Sequence, residues 1–561
     1  MLFRSLNGTS DTGSINDDIS NTNALSNERD EYIDTPFTVF RGNGMVTETL
    51  PDGRRNVTEY VQFNKDHPSE GDLHLNGTIQ SIKVYDGNLL LTETKNDYQE
   101  DKIREYKADK RIFGVRLTET ENKTYASNGS SYTATKTYYS YDVARQGGTQ
   151  YGNVTNVVES RWNGSVFVDY RMTSTYFYPK VDGNSNLSAF PAYKNIYRCP
   201  SGSFEGACFA GGTTNPDAQT YVQFSMWYLY DNNSTYTLAP TTGVLTGTRT
   251  ITGWVNNEPY YKDVKFTYDS WGNLIQEDHY RTENMFSAYA AGPAETTYTC
   301  YGTTDYAAGF SDDGVNTYPL WQKNALGQVT SASYDYAIGL PTQVTDANGN
   351  STLYQFDSFG RVTKVAKPGN TLSSPSISYT YVDSIPFGII QTQRISHINT
   401  INSGVPSSTV STTRNFFDGL GRLIQSQAAN IQLSSGLKDV LTDYEYDHND
   451  QVIKQTVPYE VSPSSGYRPQ QLTSQPVTIT TYDIFGRTLN VLRTDGVIDS
   501  SVAYNGLVTS VTDANGWTTV QTQDEWGRIT EVRPPTGPKT RYEYDAADNL
   551  TAARQYENAG T

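Results

Sequence analysis

The sequence predicts an all-β fold, an extended spiral of antiparallel β-hairpins. One observation is a short string, seen as Tyr482-Asp-Ile-Phe-Gly-Arg487, that recurs through the second half of the chain. A second is that the rest of the sequence is rich in Thr, Tyr and Val and alternates polar with apolar residues between turn dipeptides such as Asn-Gly. That alternation is typical of short strands joined by tight turns. A third is that no stretch has the periodicity of a convincing helix.

The recurring string has the chemistry of a tight turn. Asp followed three residues later by Gly is typical of a type I turn, in which the Asp side chain accepts backbone amides and Gly supplies a positive φ. A type I turn followed by a left-handed residue is a common hairpin connection. Two copies carry Asp450 and Asp548 where Gly is expected, and Asp tolerates the left-handed region better than most residues. Each copy therefore predicts a hairpin.

The residues that we expect to be structural are the Asp and Gly of these turns and the Arg that follows the Gly. They are Asp269, Gly272, Asp357, Gly360, Arg361, Asp418, Gly421, Arg422, Asp447, Asp483, Gly486, Arg487, Asp524, Gly527, Arg528 and Asp545. We expect the four arginines to pair with Asp or with backbone carbonyls of neighbouring turns. The string Val-Thr-Asp-Ala-Asn-Gly, at 344–349 and 511–516, predicts further hairpin turns between the units.

The chain divides into three parts by composition. Residues 1–33 are rich in Asn, Ser, Asp and Thr, which predicts a flexible lead-in. Residues 34–250 form a β-rich region before the repeats, and 251–561 form the repeat array. An irregular insertion at 182–219 contains Cys199 and Cys208, for which a local disulfide and two reduced thiols both remain open.

Bulk composition excludes several classes of function. The chain of 561 residues is too long for one compact core, which favours several domains or one extended repeat body. Its net charge of −18 argues against binding to nucleic acid or to anionic membranes. No apolar run approaches the ~20 residues needed to span a bilayer, and the N-terminus does not resemble a signal peptide.

Evidence in the sequence for catalytic or metal-binding residues is weak throughout. None of the five histidines lies in a metal or nucleophile motif, and Asp278-His279 is better interpreted as a strand end than as a general-base pair. The loops at Asp346 and Asp513 are similar to the start of a calcium loop but place Gly too early, so a hairpin is favoured. We therefore predict no catalytic residue, cofactor or metal.

Tyr176 and Tyr178 are two residues apart, so they should share one face of a strand, and the same holds for Tyr379 and Tyr381. Such pairs could stack on sugars, but we favour packing against side chains of the neighbouring strand.

The repeated strings resemble RHS/YD repeats, the tyrosine–aspartate repeats of bacterial Rhs proteins, toxin-complex B and C components and animal teneurins. The resemblance covers about 250–561. Phe40-Arg-Gly-Asn-Gly-Met-Val46, Pro51-Asp-Gly53 and Tyr85-Asp-Gly-Asn-Leu-Leu90 resemble the segment after the β-propeller in insecticidal toxin-complex and SpvB-like proteins.

The resemblance implies a hollow β-shell that encloses a toxic polypeptide, with repeats that are not catalytic. The sequence departs from that family in lacking the propeller and the Asp-Pro motif that accompanies self-cleavage, and it stops within the array. We therefore expect an open or partial shell and a fragment of a larger secreted or cell-surface polypeptide. Its partners would be the rest of that polypeptide and its toxin cargo. The alternative is a carbohydrate-binding or adhesion module of the cell surface, with glycans as partners.

Overall fold

The computed structural model describes most of the chain from residue 44 onward. The described residues are 44–50, 53–61, 77–105, 111–126, 129, 131–142, 152–178, 190–199, 222–255, 258–282, 293, 295–301, 317–394, 410–483 and 485–557. These residues form 34 strands and no helix, so the predicted all-β fold is confirmed.

The strands run in chain order. They are β1 (Met45–Thr49), β2 (Arg54–Tyr60), β3 (Ile79–Asp86), β4 (Leu89–Glu105), β5 (Arg111–Tyr125), β6 (Tyr132–Tyr141), β7 (Val154–Trp162), β8 (Phe167–Phe177), β9 (Pro191–Arg198), β10 (Val222–Tyr230), β11 (Leu245–Val255), β12 (Glu258–Tyr268), β13 (Leu274–Thr282), β14 (Glu295–Cys300), β15 (Trp321–Lys323), β16 (Val329–Asp335), β17 (Leu340–Thr345), β18 (Ser351–Phe356), β19 (Val362–Ala366), β20 (Ile377–Val382), β21 (Phe387–Arg394), β22 (Val410–Phe417), β23 (Leu423–Leu433), β24 (Gly436–Tyr446), β25 (Val452–Thr456), β26 (Tyr459–Val461), β27 (Val477–Tyr482), β28 (Thr488–Arg493), β29 (Ile498–Asn505), β30 (Val508–Asp513), β31 (Thr518–Gln523), β32 (Ile529–Arg533), β33 (Lys539–Tyr544) and β34 (Leu550–Tyr556).

The strands form one antiparallel meander, in which nearly every strand pairs with the next one along the chain. The exception is β24, whose first half pairs with β26 and whose second half pairs with β25. β25 then pairs with β27, and the meander continues to β34. The sheet is open, because among the described strands β1 pairs only with β2 and β34 only with β33.

Successive turns of a meander lie at alternate edges of the sheet. We call the edge that carries the turns at Asp357, Asp418, Asp483 and Asp524 the Arg edge. The other edge, the opposite edge, carries the turns at Asp346 and Asp513 and the earlier β7–β8 turn. The strand ladder also continues through residue 250 within β11, where composition suggested a boundary; that boundary stays a prediction.

The sheet coils so that its last strands meet strands β5–β8. The Tyr170 hydroxyl on β8 donates to the carbonyl of Asp545 in the β33–β34 turn, at 3.0 Å. Gly506 and Leu507, in the β29–β30 turn, line a small cavity together with Ala126 and Tyr132 of the β5–β6 turn. In both places the Arg edge of late strands lies against the opposite edge of early strands. We call this contact the seam.

Aromatic packing stabilises the early sheet. Tyr178 is 4% exposed in a cluster with Ala192 and Tyr230, whereas Tyr176 is 40% exposed. A β-bulge between Tyr176 and Phe177 interrupts the alternation at this point, and the prediction that the two tyrosines share one face stays a prediction. Tyr176 instead stacks on its cross-strand neighbour Tyr193, with ring centroids 5.2 Å apart.

Two sequence predictions concern residues outside the described part of the chain. The lead-in at 1–33 lies outside them, as does Cys208. Cys199 is buried and disulfide-bonded, while Cys300 is free. The pairing of Cys199 with Cys208 stays a prediction.

A buried polar cluster lies beside the irregular β24–β27 region. Its members sit two or four residues apart on β23 and β24, which places them on one face of the sheet. Each is fully buried: Gln425, Gln427, Asp439 and Asp443. Buried polar groups require hydrogen-bond partners, and here the partners come mainly from residues 464–471, which we call the strap.

The cluster binds the backbone of the strap. The Gln425 amide group donates to the carbonyl of Arg468 and accepts from its backbone N–H, both at 3.1 Å. Asp439 accepts the Ser464 amide at 2.9 Å, and Asp443 accepts the Gln471 amide at 2.7 Å. The strap is therefore fixed over β23 and β24, at the point where the strand order changes.

We predict that Asp443→Ala loosens the strap. Asp443 accepts hydrogen bonds from Gln425, Tyr459 and Gln471, and each buried donor left without an acceptor costs about 1–3 kcal/mol. Amide hydrogen exchange should show the opening free energy of residues 464–471 falling by about 3 kcal/mol. Asp495→Ala, in the exposed β28–β29 turn, is the control and should leave this protection unchanged. Equal protection in the two variants would contradict the prediction.

Candidate functional site

The recurring turns are the best-defined candidate site, and Asp357 shows their geometry. One carboxylate oxygen of Asp357 accepts the backbone amides of Phe359 and Arg361, both at 2.9 Å. The Gly360 amide donates to the Asp357 carbonyl at 3.0 Å, with Gly360 at φ 78°. The Arg361 Nε donates to the second carboxylate oxygen at 2.7 Å. Both carboxylate oxygens of Asp357 therefore accept hydrogen bonds from within their own turn.

The same clamp recurs along the Arg edge. The Nε–Oδ2 distance is also 2.7 Å for Asp418 with Arg422, Asp483 with Arg487, and Asp524 with Arg528. Where Asn replaces Arg, its side-chain amide donates to the same oxygen at 3.0 to 3.1 Å, in the turns that begin at Asp269, Asp346 and Asp545. The turn at Asp447 differs, because its Gln451 side chain donates to the carbonyl of Gly486 in the next turn of the edge.

The two turns without Gly keep the same backbone. Asp450 and Asp548 have φ values of 62° and 67°, close to those of the turn glycines. Asp is among the few residues with a side chain that tolerate this region. Their carboxylates thus project from the turn, where an Arg of the preceding turn can reach them.

Three of the four arginines also reach the next turn of the edge. The Nη1 of Arg361 donates to Asp383 at 2.7 Å, that of Arg422 to Asp450 at 2.9 Å, and that of Arg528 to Asp548 at 2.7 Å. Arg487 differs: it pairs with its own Asp483 and lies 3.9 Å from the ring centre of Tyr504. Each guanidinium therefore joins its own turn to a neighbour.

Tyrosine completes the connection between turns. The guanidinium groups of Arg361, Arg422 and Arg528 lie 4.2, 5.0 and 4.9 Å from the rings of Tyr381, Tyr446 and Tyr544. The hydroxyl of each ring donates to the carbonyl of the residue after that Arg, at 2.8, 2.8 and 3.0 Å. Each tyrosine thus secures its hairpin to the preceding one on the same edge.

Sequence reasoning missed this role of the hydroxyl, although a signal was present. Phe356, Phe417 and Gln523 occupy the position before Asp in their units and carry no hydroxyl. Each follows a turn of the Arg edge that has no Arg after it. The three units without Tyr thus share the lack of a preceding Arg, which is visible only when units are compared in register. The converse does not hold, because Tyr482 follows a turn with Gln451 in the Arg position and its hydroxyl donates to the Val452 carbonyl at 2.9 Å.

Hydrogen bonds lower the pKa of several carboxylates in the sheet. Burial alone would raise the pKa of Asp418, but hydrogen bonds from the Arg422 backbone and guanidinium outweigh it and lower that pKa. Hydrogen bonds from Asn350 lower the pKa of Asp346. Hydrogen bonds from Arg541, and then from Lys539 and Arg533, lower the pKa of Glu531 to about 2. Carboxylates held in this way are poor proton acceptors, so the turns suit mechanical roles better than acid–base chemistry.

The remaining candidates lie in strands. Asp278 accepts the Thr296 hydroxyl at 2.7 Å and the Gln276 side-chain amide, while His279 contacts Glu277 at 2.6 Å. Asp278 and His279 therefore bond to different neighbours. Among the described residues, no group of three or more His, Cys, Asp or Glu side chains is placed to hold a metal ion. Nor does that part of the chain contain a helix long and apolar enough to cross a membrane.

Comparisons with known proteins agree with this geometry. A family model described as the RHS repeat matches residues 334–372 and 524–561. A second, described as a domain of unknown function, DUF6443, matches 390–483, which includes the strap. No protein with a curated description matches the sequence.

Solved structures of toxin complexes share the fold. The crystal structure of TcdB2-TccC3 matches with a TM-score of 0.63 and 13% identity, over 92% of this chain and 33% of that one. The complex TcdB2-TccC3-Cdc42 matches with a TM-score of 0.62 and 12% identity, over 92% and 35%. A Tc holotoxin pore from Photorhabdus luminescens matches with a TM-score of 0.65 and 13% identity, over 92% and 35%. The chain thus spans about a third of the length of the chains it matches.

We predict that Tyr381→Phe weakens the connection between the turns at Asp357 and Asp383. The change removes the hydrogen bond to the Val362 carbonyl and keeps the ring beneath Arg361, so it should cost about 1 kcal/mol. Urea unfolding and amide exchange of residues 357–362 would measure this loss. Tyr379→Phe, on the same strand, is the matched control, since its hydroxyl donates to none of the described carbonyls. An equal effect of both changes would contradict the assigned role.

We also predict that acid weakens the clamps. Because the folded-state pKa of Asp357 and Asp418 is lowered, their contribution to stability is complete above the unfolded value of about 3.9. It is lost as the pH falls through the lower folded-state pKa. The urea midpoint should hold between about pH 7 and 5 and decline below about pH 4. The decline should be shallower in Asp418→Asn, and an unchanged slope in that variant would argue against the clamps.

Proposed function

We propose that this toxin-complex-like RHS-repeat protein forms a segment of β-shell wall that encloses or delivers a toxin polypeptide. The RHS repeats and the shared fold of toxin-complex chains support a structural shell role. Enclosure and the identity of the cargo are the parts that we propose. The chain would act within a larger secreted polypeptide, as the neighbours of the same fold are themselves about three times as long.

The observation that carries the proposal is the seam. An open sheet that returns to touch its own early strands surrounds a space, whereas a flat ribbon would not. At the seam the Trp526 ring lies 4.3 Å from the ring of Tyr170, and Arg171 donates to Asp548 at 2.7 Å. These residues are more than 350 positions apart in sequence, so the contact defines one winding of the wall.

The clamps suit a wall that has little conventional core. Few of the described side chains are fully buried, and several of those are polar, so apolar burial alone supports the sheet weakly. The Asp–Arg–Tyr contacts instead connect each hairpin with the next one along the edge. A sheet held in this way resists bending between neighbouring hairpins, which is what a container wall requires.

A non-catalytic role accords with the state of the conspicuous carboxylates. Asp357, Asp418 and Asp524 each accept hydrogen bonds from two backbone amides and one guanidinium, so each carboxylate is occupied within its own turn. The carbohydrate-binding alternative stays a prediction that a glycan array can test. Two of the tyrosines considered for sugar stacking, Tyr176 and Tyr178, already pack against other aromatic rings.

We predict that opening the seam exposes whatever the wall encloses. The experiment expresses the protein together with the polypeptide that its native assembly carries, and then measures how fast a protease degrades that polypeptide. The wild-type protein should protect it, whereas Trp526→Ala combined with Arg171→Ala should raise the cleavage rate at least ~10-fold. Protection should persist in Leu326→Ala, an exposed residue distant in sequence from the seam.

Rapid cleavage of the carried polypeptide in the wild-type assembly would overturn the enclosure proposal. Electron microscopy of the same sample provides an independent measurement, because an enclosing wall must show a lumen. A flat ribbon with no lumen would also contradict the proposal.

A further inference from the structure

Four basic side chains gather on one face of the last three described strands, β32–β34. Glu531 of β32 lies opposite Arg541 of β33, and Arg541 lies opposite Arg554 of β34. Arg533 and Lys539 are each two residues from a member of the first pair, so they point to the same face. We call the four cations, Arg533, Lys539, Arg541 and Arg554, the basic patch.

The basic patch already binds one carboxylate of its own chain. The Arg541 Nε donates to Glu531 at 2.7 Å, Arg533 donates to it at 3.0 Å, and the Lys539 Nζ lies 3.2 Å from it. Hydrogen bonds from these groups, that of Arg541 most of all, lower the pKa of Glu531 to about 2. Three cations thus converge on a carboxylate, a ligand whose geometry matches the guanidinium group.

The basic patch carries more positive charge than its acids balance. Arg554 pairs with Glu543, so four cations share two carboxylates in these contacts, which leaves a surplus of two positive charges. This surplus lies in a chain whose net charge is −18. Arg541 and Arg554 also lie directly opposite each other, and like charges in that position destabilise a sheet. An anion bound from outside would relieve both the surplus and this repulsion.

The cations of the basic patch are accessible from outside. The side chains of Arg533, Arg541 and Arg554 are 54%, 52% and 56% exposed, whereas that of Glu531 is 16% exposed. Each guanidinium carries five N–H donors, and the contacts to Glu531 and Glu543 use few of them. The carboxylate therefore lies beneath cations that retain donors for a second anion.

We infer that the basic patch binds a short polypeptide segment rich in Asp or Glu. The charges are complementary, and Glu531 shows that these cations accommodate a carboxylate. A long polyanion such as nucleic acid fits less well, because the chain as a whole is strongly acidic and would repel it beyond the patch. The described contacts of the seam involve other residues, so the inference does not depend on the wall proposal.

The test uses the full-length chain and a fluorescently labelled peptide in which Glu alternates with Gly. A matched peptide carries Gln in place of every Glu, and fluorescence anisotropy measures both affinities. We expect the Glu peptide to bind at least ~10-fold more tightly than the Gln peptide at about 50 mM salt. Its affinity should fall as the salt concentration rises, because salt screens the attraction between charges.

Matched variants of the chain locate the site. Arg541→Ser should weaken binding of the Glu peptide at least ~5-fold, because charge-assisted hydrogen bonds are lost. Arg493→Ser removes an equally exposed arginine that lies within 3.9 Å of two acids, and it should leave the affinity unchanged. Glu531→Gln should tighten binding at least ~3-fold, since it releases three cations to the peptide.

Circular dichroism and amide exchange in β32–β34 check that each variant keeps its fold. If Arg541→Ser does not, Arg533→Ser at the end of β32 replaces it.

No binding of the Glu peptide at about 100 μM chain would overturn the inference. Equal affinities for the two peptides, or equal losses in Arg541→Ser and Arg493→Ser, would do the same. Tighter binding of a DNA oligonucleotide of equal charge would overturn the assignment of the ligand to a polypeptide. The protease-protection result depends on the seam, so this inference and the wall proposal can fail separately.

Discussion

The guanidinium group that follows Gly in four of the turns is the interaction on which the sheet edge depends. It binds the Asp of its own turn, lies over an aromatic ring of the next hairpin and, in three of the four cases, bonds to that hairpin's turn. An isolated exposed ion pair contributes little to stability. Here the carboxylate is already fixed by two backbone amides and the ring lies beneath the guanidinium, so less side-chain freedom is lost on forming each contact. Such a network suits a sheet that is too thin to bury a large core.

Two regions depart from the regular ladder, and both are held by contacts between distant parts of the chain. At the strap, fully buried Gln and Asp side chains bind a backbone segment where β24 changes partners. Breaking such a buried network is costly, so it defines one local path for the chain. At the seam, two aromatic rings in contact and a shared carboxylate fix how far the sheet coils before it meets itself. The strap and the seam therefore shape an array whose repeats are otherwise alike.

The two edges of the sheet carry different side chains, so one edge of the proposed wall can pair with the other. The Arg edge carries guanidinium groups, exposed acids and apolar turn residues, and it is this edge that lies on the β7–β8 pair at the seam. The opposite edge receives it with Tyr170, Arg171 and Glu159. An interface between two unlike edges can continue from winding to winding, whereas one between like edges would end after a single pairing. The arrangement thus favours a coiled wall over a closed dimer.

The sequence alone determined the hairpins, because a turn is a local structure. The Asp and Gly of each turn, and the Asp that replaces Gly at Asp450 and Asp548, lie within five residues of one another. Their pattern can therefore be recognised without knowledge of the fold. It also indicated the all-β class and the spiral.

Only the tertiary structure decided which turn each Tyr hydroxyl binds, because the two partners lie in different hairpins. The seam and the strap lay beyond prediction for a stronger reason. Trp526 meets Tyr170 only after a full winding, and the polar side chains of Gln425 and Asp443 are buried beneath a strap that is distant in sequence. Contacts set by the summed curvature of many strands leave no local pattern in the sequence.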